Sequence, residues 1–327
     1  ADAPAGLQRG QVSLYVGERS VTQWQAIAAA AQAPARHPGG VIDFDRRYRG
    51  LDARLVWRWQ GVRVTAGVAL DDQQEDRRGY ENFIGTGSSQ LLGVTGRLRR
   101  DEDNRARSAD AYAQAEWDLA PTLTASSGLR TSRLRLTSRD RYLGNGDDSG
   151  RMQFSSTLPV AALRWQPAEG LSLYVSAGRG FETPTLNELA YQADGSAGFN
   201  LALRAQRSRQ AEVGMKWRDA AETLAAELAL FEARTRDEIG VQGNSGGRAT
   251  FQNVGRTTRR GAELQARAWL NARWRLAMAA TWLDARYADT FTTCAGTPCT
   301  TPTVPVTAGL RIAGTLPRTG FMELVHR

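Results

Sequence analysis

Val62-Arg-Val-Thr-Ala-Gly-Val-Ala-Leu70 decides the fold. Val62, Val64, Ala66, Val68 and Leu70 take every second position, and Arg63, Thr65, Gly67 and Ala69 lie between them. Successive side chains of a strand point to opposite faces, so this segment reads as a strand with one apolar face and one wet face. The period recurs in Ala211, Val213, Met215 and Trp217, which alternate with Glu212, Gly214, Lys216 and Arg218. It recurs again in Leu264, Ala266 and Ala268 against Glu263, Gln265 and Arg267, and in Leu276, Met278, Ala280 and Trp282 against Arg275, Ala277, Ala279 and Thr281. Fainter versions run through 11–23, 48–60, 108–117, 122–137, 156–165, 171–181, 223–238, 252–261 and 317–327.

The connections between these segments alternate in length. Short ones fall at Gln60-Gly61, Asp118–Thr122, Gln166–Gly170, Arg218–Glu222 and Leu270–Arg273. Long polar ones span 24–47, 71–107, 138–155, 182–206, 239–251 and 290–316. Short turns on one side and long loops on the other are the habit of a transmembrane β-barrel, and a soluble sandwich has no reason to keep that parity. Seven of the 9 tryptophans flank the short turns: Trp57, Trp59, Trp117, Trp165, Trp217, Trp269 and Trp274. An indole is apolar with one N–H that seeks water, so such a row is expected to form a girdle at a membrane interface. The opposite strand face carries Arg54, Arg58, Arg63, Glu116, Arg164, Glu212, Lys216, Glu263, Arg267 and Arg275, which suits a wet lumen. The expected fold class is all-β, an antiparallel transmembrane β-barrel.

Composition agrees. The 327 residues are 41% hydrophobic and 23% charged, too apolar for a disordered chain. No run approaches the ~18 apolar residues of a membrane-spanning helix. Net charge is 42 − 34 = +8, and Lys216 is the one lysine. The arginines are interleaved with acids, as in Asp71–Arg78 and Arg99–Arg107, which argues against a nucleic-acid partner. No basic and then apolar leader opens the chain, so the sequence is expected to be a mature form or to start elsewhere.

Four motifs in order resemble the TonB-dependent outer-membrane receptors. They are Leu171–Leu189, with its Phe181-Glu-Thr-Pro-Thr185 core, Ser208–Lys216 as Ser-x-x-x-Glu-x-Gly-x-Lys, Asn253-Val-Gly255 with Arg260-Gly-Ala-Glu-Leu264, and the pair Arg77–Phe83 and Arg99–Asn104. The last pair resembles the ferric-siderophore branch. The resemblance implies a barrel of about 22 strands with a plug inside. About a dozen strand candidates are present, so residues 1–327 are expected to be a middle-to-late sector of the barrel, with the plug and the closing strands not in this chain. A closed 12-stranded barrel is the other solution, because even strand numbers close. The resemblance further implies no enzymatic chemistry, location in the outer membrane of a Gram-negative bacterium, import of a ferric siderophore, coupling to TonB-ExbB-ExbD through the plug, and contact with lipopolysaccharide. A plugless porin-like barrel, or a receptor for cobalamin, haem or another nutrient, is the alternative.

No catalytic constellation stands out. His37 and His326 are the two histidines, too few for a His-based metal site, a Ser-His-Asp triad or a haem-capturing pair. No cofactor is expected. Gly144-Asn-Gly-Asp-Asp-Ser-Gly150 is rich in oxygen ligands and could hold Ca²⁺, although a solvated turn has the same composition. Cys294 and Cys299 lie in the loop 290–316 with Gly296 and Pro298 between them. In an oxidising compartment they form a disulfide; two free thiols or a metal clip are the alternatives. Ligand contacts are expected from aromatic and cationic residues of the loops and upper lumen: Arg19, Trp24, Arg77, Arg78, Tyr80, Phe83, Tyr142, Tyr191, Phe199 and Arg248. Aromatic faces and guanidinium forks suit the oxygens of an iron chelate, and the same arginines could instead hold lipopolysaccharide phosphates.

Overall fold

The computed structural model describes residues 6–245, 248–296, 299 and 301–326. Twelve strands form one antiparallel sheet in sequence order. They are β1 (Leu7–Trp24), β2 (Val41–Trp59), β3 (Val62–Tyr80), β4 (Leu98–Ala120), β5 (Leu123–Asp140), β6 (Gly150–Ala168), β7 (Leu171–Glu182), β8 (Gln206–Arg218), β9 (Leu224–Arg236), β10 (Thr257–Trp269), β11 (Trp274–Tyr287) and β12 (Arg318–His326). β1 and β12 are not paired with each other, so the described sheet is an arc with two free edges. The described strands do not close as a 12-stranded barrel. Among the described residues no helix is long and apolar enough to cross a membrane, and that has no bearing on crossing by strands.

Register keeps one face apolar from strand to strand. Val62, Val64, Val68 and Leu70 stand opposite Trp59, Trp57, Ala53 and Leu51 on one side, and opposite Trp117, Ala115, Ala111 and Ala109 on the other. Further along, Leu171, Leu173 and Val175 face Trp217, Met215 and Val213, which face Ala226, Leu228 and Leu230. This face has no protein over it: Val68 is 42% exposed, Val213 52% and Leu230 50%. Its Val62–Leu70 members are half-buried or exposed, never buried. An apolar band this wide would be untenable in water, so its solvent is lipid.

The opposite face is held by cross-strand polar pairs. Arg63 pairs with Glu116, Arg54 with Gln11, and the Tyr174 hydroxyl donates to Glu212 at 2.6 Å. Aromatic rings lie over facing glycines here: Tyr15 over Gly50, Tyr48 over Gly17, Tyr174 over Gly214 and Phe231 over Gly261. A Cβ at those glycines would occupy the ring's place, so glycine is what lets the ring lie flat on the sheet.

Two expectations need correction. Trp269 is not in the girdle; it pairs with Arg275 and shares the wet face with Arg267 and Glu263, because the last outward residue of β10 is Ala268. The other six tryptophans face outward at the short-turn end, and Trp282, 48% exposed, marks the opposite edge of the band. The strands also run far into the stretches read as loops. β4 has 23 residues, about 75 Å of strand, against an apolar band of only ~25 Å. The excess stands above the membrane. It stays regular because its charges pair across strands: Asp72 takes Arg49, Arg105 and Arg107.

The two faces make opposite demands on the same substitution. Val213→Arg, at mid-band, should destabilise the folded protein in detergent by ~2–4 kcal/mol. Gln265→Arg, on the wet face, should stay within about 0.5 kcal/mol. Urea titration of both variants measures the difference, and equal costs would rule out a lipid-facing band.

Candidate functional site

Above the membrane the loops fold into a layer of their own. Among the described residues the buried apolar side chains lie at this end, Ile27, Val41, Leu136, Leu189, Phe199, Leu203, Val254 and Ile312 among them. The centre is Leu136 of β5 with Leu189, Phe199 and Leu203 of the 183–205 loop, packed on Leu134, Met152 and Phe154. Local sequence sets this up. After Pro184, Thr185 caps the short helix α1 (Leu186–Leu189) in a capping box: its side chain accepts the Glu188 N–H, and its own N–H donates to the Glu188 carboxylate at 2.7 Å. That turn places Leu189, fully buried, against the sheet. The loop therefore lies over the upper lumen face.

Beneath it sits a buried charged floor on β2, β3 and β4. Arg46 reaches Glu75 at 2.5 Å, and Arg100 forks onto Glu102 at 2.5 and 2.7 Å. Arg77 lies 3.8 Å from Glu75 and donates to the Tyr191 hydroxyl at 3.4 Å; the Arg100 guanidinium sits over the Tyr191 ring at 5.5 Å. Buried charges persist only when paired, and each of these faces an opposite charge.

Three side chains latch the loops together. Asn82 donates to the carbonyls of Gln25 and Ile27 and accepts from Gln32, joining loop 25–40 to loop 81–97. Asn253 accepts the Arg204 N–H and donates to the Arg204 and Asp237 carbonyls. Asp148, buried, takes Arg36 and Gln192. Burial pushes the Asp148 carboxyl up, against the pull of Arg36. Glu238 ends below the usual carboxylate range: burial would raise it, but hydrogen bonds from Arg259 and Thr257 outweigh that. Asp289 is lowered by its hydrogen bonds from Arg256.

The ten anticipated ligand contacts separate into groups. Arg77, Tyr191 and Phe199 are buried; the first two meet in the charged floor and Phe199 is in the loop core. Trp24, Arg78 and Tyr80 fall in register with the outward face. Arg19 stands opposite Arg46 on the lumen face and is exposed. Phe83 and Tyr142 are half-buried in loops 81–97 and 141–149. Arg248 lies at the start of the short strand Arg248–Asn253, and its side chain is outside the described residues. Glu75, Arg100 and Glu102, the floor's strongest members, escaped sequence reading because nothing in a charged strand end announces burial. Gly144–Gly150 acts as a latch: Asp147 accepts the Ser149 N–H, and Asp148 is ion-paired. Among the described residues no three or more of His, Cys, Asp and Glu converge as a metal site. His37 accepts the Gly39 N–H at the loop end, whereas His326 packs on Trp274 at the turn end. Cys294 and Cys299 are disulfide-bonded, with Cα atoms 5.9 Å apart.

A family model described as TonB dependent receptor-like, beta-barrel, matches residues 9–321. The chain belongs to the TonB-dependent receptor family. Among solved structures it is similar to the siderophore receptor PiuA from Acinetobacter baumannii, at 17% identity and a TM-score of 0.69, covering 88% of this chain and 44% of that one. It is also similar to the copper transporter OprC, at 16% identity and 0.66, covering 86% and 44%. The FrpB iron transporter from Neisseria meningitidis matches at 16% and 0.59, covering 86% and 42%. At these identities the likeness is one of fold. The chain spans under half the length of these transporters and receptors. In this receptor-family sheet the motif residues have structural tasks. Thr185 and Glu188 cap a helix, Glu212 holds Tyr174, Asn253 ties two loops, and Gly261 seats Phe231.

Because Glu238 and Asp289 are lowered in the folded state, the stability they contribute is present above the ordinary carboxylate pKa of about 4 and is lost as pH falls through the lower folded values. Protease cleavage in 237–256 and 288–317 should therefore stay low at about pH 6 and rise below about pH 4. Asp289→Asn should raise cleavage already at neutral pH; an unchanged pattern would show that the latch does not hold these loops. Intact mass should rise by two hydrogens on reduction, and an unchanged mass would mean that Cys294 and Cys299 are not bridged.

Proposed function

We propose that this chain is a sector of the wall of an outer-membrane receptor in a Gram-negative bacterium. The receptor binds a metal chelate of the ferric-siderophore class and imports it with energy from TonB-ExbB-ExbD, delivered through a plug inside the barrel. Further strands beyond the two free edges complete the ring, since an unpaired edge cannot persist in lipid. Lipopolysaccharide surrounds the outer face.

The observation that carries this reading is the loop layer folded over a charged lumen face. A passive pore needs an open mouth, whereas a gated receptor needs a structured one that binds before it admits. Its structural neighbours include a siderophore receptor, an iron transporter and a copper transporter, which supports a metal-bearing cargo. The copper transporter keeps a second reading in view, a copper species as cargo. Haem fits poorly, because the histidines lie at opposite ends of the sheet. Arg19, Phe83 and Tyr142 are the anticipated contacts that remain near the mouth and unburied, a cation and two aromatic faces for chelate oxygens and rings.

Native protein extracted from outer membranes should bind a ferric hydroxamate or catecholate in a panel that also holds copper, cobalamin and maltose. Arg19→Ala should weaken that binding about tenfold, the loss of one charge-assisted hydrogen bond. Binding to cobalamin or maltose alone would reject the metal cargo. A large constitutive current in planar bilayers would favour the porin-like alternative.

A further inference from the structure

The wall splits above its apolar band. β6 pairs with β5 from Trp165 up to Gly150, but with β7 only as far as Val160, which stands opposite Gly178. β7 runs on to Glu182, paired with β8. The ladder therefore stops where the outward residues change from Ala161 and Ala177 to Thr157 and Arg179. The residue at the break is Pro159. Proline has no N–H to give a ladder and belongs at strand edges. Ser155, an even number of residues away, turns its carbonyl to the same side, where it accepts from the Arg207 guanidinium at 3.4 Å. The missing N–H is thus the one that would have met Arg179. In a continued ladder Gly180 would stand opposite Leu158, yet a Cβ on Gly180 would meet only Ser208 within 4 Å. A cleft of about 580 Å³ opens at the split, with Thr157 and Leu158 on one bank and Arg179, Gly180 and Arg207 on the other.

β6 thus has the free side of an edge strand in the middle of the wall. Among the described residues no backbone segment pairs with Arg151–Pro159 on that side. A row of free N–H and C=O groups is a template for one more strand. The flanking side chains say what that strand would carry. On the outer side stand Arg133, Arg135 and Arg151 of β5 and β6, and Arg179, Arg207 and Arg209 of β7 and β8, all exposed. None of them has a carboxylate partner among the described residues. Arg135 bonds Gln153, and Arg207 has the Ser155 carbonyl and the Phe181 ring, 5.8 Å away. On the lumen side stand Ser156, Leu158, Gly180 and Ser208, small or apolar. Opposite charges side by side on a sheet stabilise it, and like charges do the reverse.

We propose that the split is a docking slot for an extended acidic segment of a partner protein. The segment adds to the free edge of β6 as a strand, with acids outward at every second residue and apolar residues between them on the lumen side. Backbone hydrogen bonds hold it, and the alternate side chains give specificity. A phosphate-bearing ligand would use the arginines alone; the free backbone edge is what selects a peptide. The inference goes beyond the cargo reading and does not depend on it.

The test uses native protein in nanodiscs of zwitterionic lipid and a fluorescent peptide as long as Arg151–Thr157 that alternates glutamate and valine. Anisotropy should show saturable binding. The same residues with the glutamates grouped at one end should bind at least about tenfold more weakly, and so should the alternating peptide with methylated backbone nitrogens. Ser155→Pro removes an N–H of β6 that faces the split and leaves the bonds to β5 in place, so it should weaken binding about fivefold. Arg151→Gln with Arg179→Gln should weaken it about tenfold, whereas Arg49→Gln with Arg107→Gln, elsewhere on the outward face, should change it by less than about twofold. Heat-modifiable migration in the gel confirms that each variant is folded, and the peptide comparisons need no variant. Absence of binding would overturn the slot, as would unchanged binding by Ser155→Pro. Equal binding of the alternating, grouped and methylated peptides would overturn it as well, because the surface would then read charge alone, as a lipid phosphate site does.

Discussion

Backbone pairing in a fixed register is the constraint from which the rest of this molecule follows. In hydrocarbon every N–H and C=O must find a partner within the protein, and an antiparallel ladder provides one for each interior strand. Because side chains alternate, a register slip of one residue would turn a strand's apolar set inward and its charges into lipid. The aligned ladders from β2 to β11 prevent this. They keep Val62, Trp117, Leu171, Trp217 and Ala268 on one continuous surface. The sheet thus has no internal core of its own; its apolar burial is against lipid, and protein-on-protein packing is confined to the loops above.

The charged residues have different work at different heights. Within the band they pair on the lumen face, as Arg63 does with Glu116 and Lys216 with Glu227. Above it they appear on both faces. On the inner side they form a buried floor that supports the loop layer, with Arg100 and Glu102 as its tightest pair. On the outer side they form an arginine belt, in which Asp72 gathers Arg49, Arg105 and Arg107. Arginine suits both settings. It remains charged, and its fork can hold a carboxylate inside the protein and a phosphate outside it.

Much of this was legible in the residues. Alternation in Val62–Leu70 and Ala211–Trp217 gave strands and faces, and the parity of short and long connections gave the up-and-down order. The tryptophans gave the turn-side rim, apart from Trp269, which a one-residue difference at the strand end moves to the other face. Strand length was not legible. Asp71–Tyr80 and Leu98–Arg107 look like polar loop because their charges are satisfied by partners some thirty residues away, as Asp72 is by Arg105. The ligand contacts were less legible still. A loop aromatic that packs a core, like Phe199, and one that faces solvent have the same local sequence.

The sequence by itself determined the all-β class, the alternation of two faces and the family, because a period of two and a fixed set of turn and motif residues are local properties of the chain. Only the tertiary structure decided which charges are buried, which loops cover the lumen and that the described sheet has two free edges. Those outcomes depend on which strands become neighbours, and a charge acquires its partner or lacks one only when the ladder sets two distant segments side by side.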